Sequence, residues 1–135
     1  MIYAPEAVTL YPWFAPTKTG GALVISTSQR CNGYWQTSSQ SDSKAWTESL
    51  RPGTYTVSDF CATTSDAGIS HLSNGGADLG TVDHYAASPA FNASKNITGV
   101  TLTSGTIELA ADTKHASSSG YKISSTFVRL TRTGD

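Results

Sequence analysis

Trp35, Tyr85 and Tyr121 stand beside Asp83, Asn92 and Asp112 in stretches rich in Gly, Ala and Ser. That combination has a definite chemistry. A flat ring packs on the apolar face of a pyranose, while carboxylates and amides in surrounding loops satisfy the sugar hydroxyls. The expected glycan-contacting residues are Trp35, Tyr85, Asn92 and Tyr121. Trp46 differs, because it alternates within a short strand-like segment, which places it in the core.

Other chemistries find less material. His71, His84 and His115 have no partner histidine at i+2 or i+4 that would set two imidazoles on one face, so hydrogen-bonded or surface histidines are expected rather than a zinc site. Hydrolysis by a pair of carboxylates would have to draw on Glu6, Glu48 and Glu108, which are scattered. No G-x-S-x-G elbow sets a nucleophile on a sharp turn, and no glycine-rich phosphate loop is present. A non-enzyme is expected. Cys31 and Cys61 lie 30 positions apart without a C-x-x-C pair, which favours buried thiols over a disulfide or a zinc ribbon. Asn92-Ala93-Ser94 and Asn96-Ile97-Thr98 match the N-glycosylation pattern, which is expected to be accidental in a chain without a secretory route.

These residues must be positioned by one domain, since 135 residues allow a single core. Nine Lys and Arg against ten Asp and Glu leave a formal net charge of -1, so no field exists to hold a nucleic-acid backbone. Ser and Thr make up more than a quarter of the chain, a bias toward strands and turns. The longest apolar run, Ala22-Leu23-Val24-Ile25, stops at Ser26, far short of a membrane span. The N-terminal residues lack the basic start and apolar stretch of a secretory signal. An extracellular type of composition without an export signal suits a protein that folds in a host cytoplasm and leaves by lysis, as virion proteins do.

Period-two alternation and turn residues divide the chain. Residues 1–21 hold Pro5, Pro12 and Pro16 with Tyr3, Tyr11, Trp13 and Phe14, and are expected to form an extended arm with one short strand, Ala7 to Tyr11. Residues 22–135 form the domain. Strands are expected at Ala22–Thr27, Tyr34–Thr37, Ala45–Leu50 and Thr54–Ala62, the last with Tyr55 and Val57 inward and a bulge where Phe60 and Cys61 break the period. Gly68–Ser73 and Asp78–Val82 form a hairpin about Asn74-Gly75-Gly76. Tyr85–Ser94 is expected to be irregular, with strands following at Ile97–Leu102, Thr106–Ala110 and Lys122–Thr133. About eight or nine antiparallel strands point to an all-β sandwich or barrel.

From Trp46 onward, Pro52-Gly53-Thr54-Tyr55-Thr56-Val57, then Leu79-Gly80-Thr81-Val82-Asp83, then Ser104-Gly105-Thr106-Ile107-Glu108-Leu109 occur in the order found in galactose-binding-like jelly rolls of carbohydrate-binding modules, which the chain resembles. Asp83-His84-Tyr85-Ala86-Ala87-Ser88, Asn96-Ile97-Thr98-Gly99-Val100, residues 113–121 and Val128-Arg129-Leu130-Thr131-Arg132-Thr133 resemble a jelly-roll domain of bacteriophage head-decoration, minor tail and tail-fibre proteins. The resemblance covers roughly the last two thirds of the chain. It implies a single jelly-roll β-sandwich on a virion surface, as a head-decoration or small tail component without catalysis. The alternative is an adhesin module that attaches to host or environmental polysaccharide. Related sandwiches often hold structural calcium, for which Asp78, Asp83 and Asp112 are donors of the right type; no other cofactor is expected. Tyr3, Tyr11, Trp13 and Phe14 would then form an assembly arm against other capsid or tail proteins or a sister copy in a homo-oligomer. Nucleic acid and membrane insertion are not expected.

Overall fold

The computed structural model describes residues 7–12, 17–24 and 33–134. Eleven strands are formed there: β1 (Ala7–Leu10), β2 (Thr17–Thr19), β3 (Ala22–Val24), β4 (Tyr34–Thr37), β5 (Ser43–Glu48), β6 (Gly53–Thr63), β7 (Gly68–Asn74), β8 (Ala77–Asp83), β9 (Ala90–Leu102), β10 (Gly105–Lys114) and β11 (Ile123–Gly134). They build two antiparallel sheets in a jelly-roll β-sandwich. One runs β3-β4-β11-β6-β9, with β1 also paired to β11; the other runs β2-β5-β10-β7-β8.

Alternation fixes the faces. In β6 the residues Tyr55, Val57, Asp59 and Cys61 point inward and are buried, while Thr54, Thr56, Ser58 and Phe60 between them are only partly covered. Ile107 and Leu109 of β10, Leu72 of β7, Val128 and Leu130 of β11 and Trp46 of β5 join Tyr55 and Val57 in one hydrophobic core. A register shift between Ser125 and Phe127 keeps both Ser125 and Val128 buried although three positions separate them.

The described residues before Ala22 join the sandwich. β1 pairs with β11 over Ala7 to Leu10, and Leu10 lies in the core. The backbone carbonyl of Tyr11 accepts a 2.8 Å hydrogen bond from the Trp46 indole. β2, which sequence pattern does not mark, pairs Thr17–Thr19 with β5 as a fully exposed edge strand. Tyr3, Trp13, Phe14 and Cys31 lie outside the described residues, as does the part of the expected Ala22–Thr27 strand beyond Val24.

Two expectations are corrected. β9 begins at Ala90, inside the stretch read as irregular, because its backbone pairs with β6 from Thr63 to Gly53 even where Phe91 is exposed. β10 likewise runs on to Lys114, where a register shift between Ala111 and Thr113 lets it keep pairing with β7.

Candidate functional site

At one end of the sandwich three connections are laced together by backbone bonds. Thr64 N–H donates to the His84 carbonyl at 3.1 Å and Ala86 N–H to the Thr64 carbonyl at 3.0 Å, bringing the segment after β6 against the segment after β8. Gly68 N–H donates to the Lys122 carbonyl at 2.8 Å and Lys122 N–H to the Asp66 carbonyl at 3.1 Å, adding the entry to β11. Gly68 is required there, since a Cβ would run into the Tyr121 backbone. The Ser118 hydroxyl, itself buried, donates to the Ala67 carbonyl at 2.6 Å and ties down the loop before β11.

This frame carries two half-buried tyrosines. The Tyr85 N–H is held by Asp83 Oδ1 at 2.9 Å, and its ring stacks on His115 with centroids 4.4 Å apart and planes 4° from parallel. The Tyr121 ring lies under Lys114, whose Nζ is 5.5 Å from the centroid. Consecutive residues at the exit of β10 thus serve the two rings. Hydrogen-bonding groups stand beside them: Lys122 Nζ is 3.7 Å from Asp66 Oδ2, and the Thr64 hydroxyl donates to Asp66 Oδ1 at 2.5 Å. That hydroxyl first, and the Lys122 cation second, hold the Asp66 carboxyl below its ordinary range. A ring for stacking, an ion pair and hydroxyls on one rigid loop end can hold a polyhydroxylated ligand.

The other expected contacts are dispersed. Trp35 is fully buried, its indole beneath Gly21 and within 5.4 Å of the Lys44 ammonium, so it has no face to offer a sugar. Proximity to Asn32-Gly33 suggested exposure, but its strand phase with Thr37 turns it into the core. Asn92 lies in β9. Tyr11 is 37% exposed and its ring packs on Phe127 at 5.9 Å.

Asp78, Asp83 and Asp112 do not form a calcium site. Asp78 and Asp83 are at opposite ends of β8, about 16 Å apart along the strand. Asp78 instead accepts from His71 Nε2 at 2.7 Å and from the Gly80 N–H at 2.8 Å. Asp112 is exposed at the end of β10. The carboxylates on these strands therefore do not fit calcium as a set.

Two further features compete with the loop end. On the outer face of the β11–β6 pair, Phe60 and Phe127 stack at 4.4 Å, with the Arg129 guanidinium 5.5 Å and 5.6 Å from their rings. An open cleft of about 430 Å³ is lined by Gly21, Ala22, Val24, Gln36 and residues 37–39 with Asp42, a set without an aromatic ring.

Beneath the loop end lies a buried polar cluster that motif spacing misses. Lys44, Asp59, Ser70, His84 and Ser125 are all buried in the core. Lys44 Nζ donates to Ser125 Oγ at 3.0 Å, and Ser125 Oγ donates to Asp59 Oδ1 at 2.7 Å. His84 Nε2 is 2.9 Å from Ser70 Oγ and 3.4 Å from Asp59 Oδ2. Burial lowers Lys44 to about 7 against the opposing pull of Asp59. Burial also lowers the His84 imidazole and raises the Cys61 thiol far above its ordinary range. The signal was available as phase: Asp59 follows Tyr55 and Val57 at i+2 spacing, and Lys44 precedes Trp46 by two.

No family model and no curated protein matches this sequence. Solved structures do share the fold. The Paenibacillus xanthan lyase superposes with a TM-score of 0.75 at 20% identity over 93% of this chain, which spans 13% of the lyase. The CBM36-1 domain of a multidomain xylanase from the hindgut metagenome of Trinervitermes trinervoides gives 0.71 at 19% identity, over 96% of this chain and 99% of that domain. A carbohydrate-binding module CBM36 in complex with calcium and xylotriose gives 0.70 at 12% identity, over 92% and 99%.

Proposed function

We propose that this chain is a non-catalytic glycan-binding module whose contact surface is the loop end bearing Tyr85 and Tyr121. The observation that carries the reading is the pair of half-buried rings at this loop end, one stacked on His115 and the other under the preceding Lys114, with the Asp66–Lys122 ion pair on the residue after Tyr121. Such a surface offers apolar contact area and directional donors without needing a deep pocket. The architecture supports it, since modules of the same fold are described as bound to xylotriose and as part of a xylanase. No structure named above is a virion protein, so the particle-surface role stays outside the proposal.

The test is retardation of the purified chain in native gels cast with soluble xylan, mixed-linkage glucan or xanthan. Retardation by at least one polymer, lost in Tyr85→Ala with the fold intact by circular dichroism, is the expected result. Unchanged mobility in every polymer, or retardation that survives both Tyr85→Ala and Tyr121→Ala, would overturn it.

A further inference from the structure

We propose that Asp59, Cys61 and His84 form a buried site for a divalent transition-metal ion, zinc by the character of its donors, set in the core below the Tyr85 loop. One donor atom from each residue lies within 4.8 Å of the other two, and among the described residues this is the one such group of three. All three residues are fully buried. Zinc takes a thiolate, an imidazole and a carboxylate together, whereas of these three calcium takes only the carboxylate.

Two observations beyond proximity point to a ligand. Asp59 Oδ2 and His84 Nδ1 are buried atoms without a hydrogen-bond partner, a rare condition in a dry interior. A cation among these residues would give the Asp59 oxygen a partner and engage an imidazole nitrogen. The second carboxylate oxygen is already held as the outer atom of a metal ligand usually is: Ser125 Oγ fixes Asp59 Oδ1 at 2.7 Å. Cys61 gives up its thiol proton to solvent as the chain folds round the ion, and the charge of the donor set then closes, a dication with one carboxylate and one thiolate summing to zero. Lys44 is separated from Asp59 by the Ser125 hydroxyl and stays outside the donor set.

Tetrahedral zinc holds its donors about 3.3–3.8 Å apart, against the 4.8 Å within which all three now lie, so the groups draw together when the ion enters. Because Asp59 and Cys61 belong to β6 in one sheet and His84 follows β8 in the other, the ion would pin the two sheets together. Its binding energy would then appear as folding stability, with loading during folding rather than by diffusion into the closed core.

The experiment unfolds the full chain in guanidinium with a chelator, removes both, and refolds it with stoichiometric cobalt(II) as a spectroscopic substitute for zinc. The expected result is a thiolate-to-cobalt charge-transfer band with the intense visible bands of four-coordinate cobalt, displaced by zinc, and a higher unfolding temperature in the loaded protein. The band should persist in Cys31→Ser and vanish in Cys61→Ser. A natively refolded wild-type chain without the band, a band that depends on Cys31, or cobalt bound with only the weak spectrum of six-coordinate surface ions would each overturn the site.

Discussion

The Lys44 ammonium stands 5.0 Å from the centre of the Trp46 ring, and the Trp35 ring covers it at 5.4 Å. A cation buried between two indoles gains ring attraction and one hydrogen bond to Ser125, yet loses its hydration, and the loss is larger because the residue settles near 7 instead of its ordinary 10.5. Stability must therefore depend on pH. Between pH 7 and about 10.5 the unfolded chain keeps a proton on Lys44 that the folded chain has released, so stability rises with pH. The lowered His84 acts in the same direction on the acid side, where only the unfolded chain takes up its proton. Cys61 opposes above its ordinary value of 9.0, because the unfolded thiol ionises while the folded one stays protonated. With Asp59 and Lys18 the other charges acting on Lys44, metal-free protein should gain about 2 kcal/mol from pH 7 to a maximum between about pH 9 and 10. Urea unfolding across that range checks it, and Lys44→Met should flatten the rise.

The positions that make this cluster were readable as strand phase but not as chemistry. Asp59 falls on the inward set of β6 with Tyr55 and Val57, and Lys44 on that of β5 with Trp46, yet an inward polar residue in a single strand does not reveal its partner. The partners come from pairing across strands far apart in sequence, such as Ser125 against Cys61. Hairpin β7–β8 and the inward faces of β6 and β10 followed from local alternation and turn residues. Trp35 did not, because a neighbouring Asn-Gly suggested a loop surface while the core phase of β4 decided its burial. β2 was illegible for a plainer reason: Thr17–Thr19 has no buried side chain, so edge pairing with β5 left no apolar mark.

Glycines with the same backbone sign should differ in cost. Gly21 has φ +67 and an added Cβ would collide with the Trp35 indole, whereas Gly75, at φ +58 in the β7–β8 turn, has open space around it. Gly21→Ala is expected to cost about 2–3 kcal/mol through strain and core displacement, and Gly75→Ala about 1 kcal/mol through backbone strain alone. Paired thermal melts settle the comparison; equal losses would place the Trp35 indole elsewhere.

Removing one stacking ring from the loop end should weaken polysaccharide binding without unfolding the domain. Tyr85→Ala and Tyr121→Ala are each expected to lower affinity roughly tenfold, the loss of about 1.4 kcal/mol of ring contact. Titration calorimetry with the polymer that retards the wild type measures this. Phe60→Ala, on the outer sheet face, should leave affinity within twofold.

Lys122→Ala should weaken the same binding by a smaller factor and let the Asp66 carboxyl move back toward its ordinary range, although the Thr64 hydroxyl, the larger cause of its lowering, remains. Carboxyl titration by NMR would show the partial return. A full return would assign the lowering to the cation, against the geometry, and no change would remove Lys122 from the site.

The most direct measurement of the central claim is a map of backbone amide shifts on adding a soluble oligosaccharide of the polymer that binds. Binding at the proposed surface predicts changes centred on residues 64–66, 84–86 and 114–122, saturating with one affinity. Changes centred on the Phe60–Phe127 face or on the Gly21–Asp42 cleft, with the loop end silent, would contradict it.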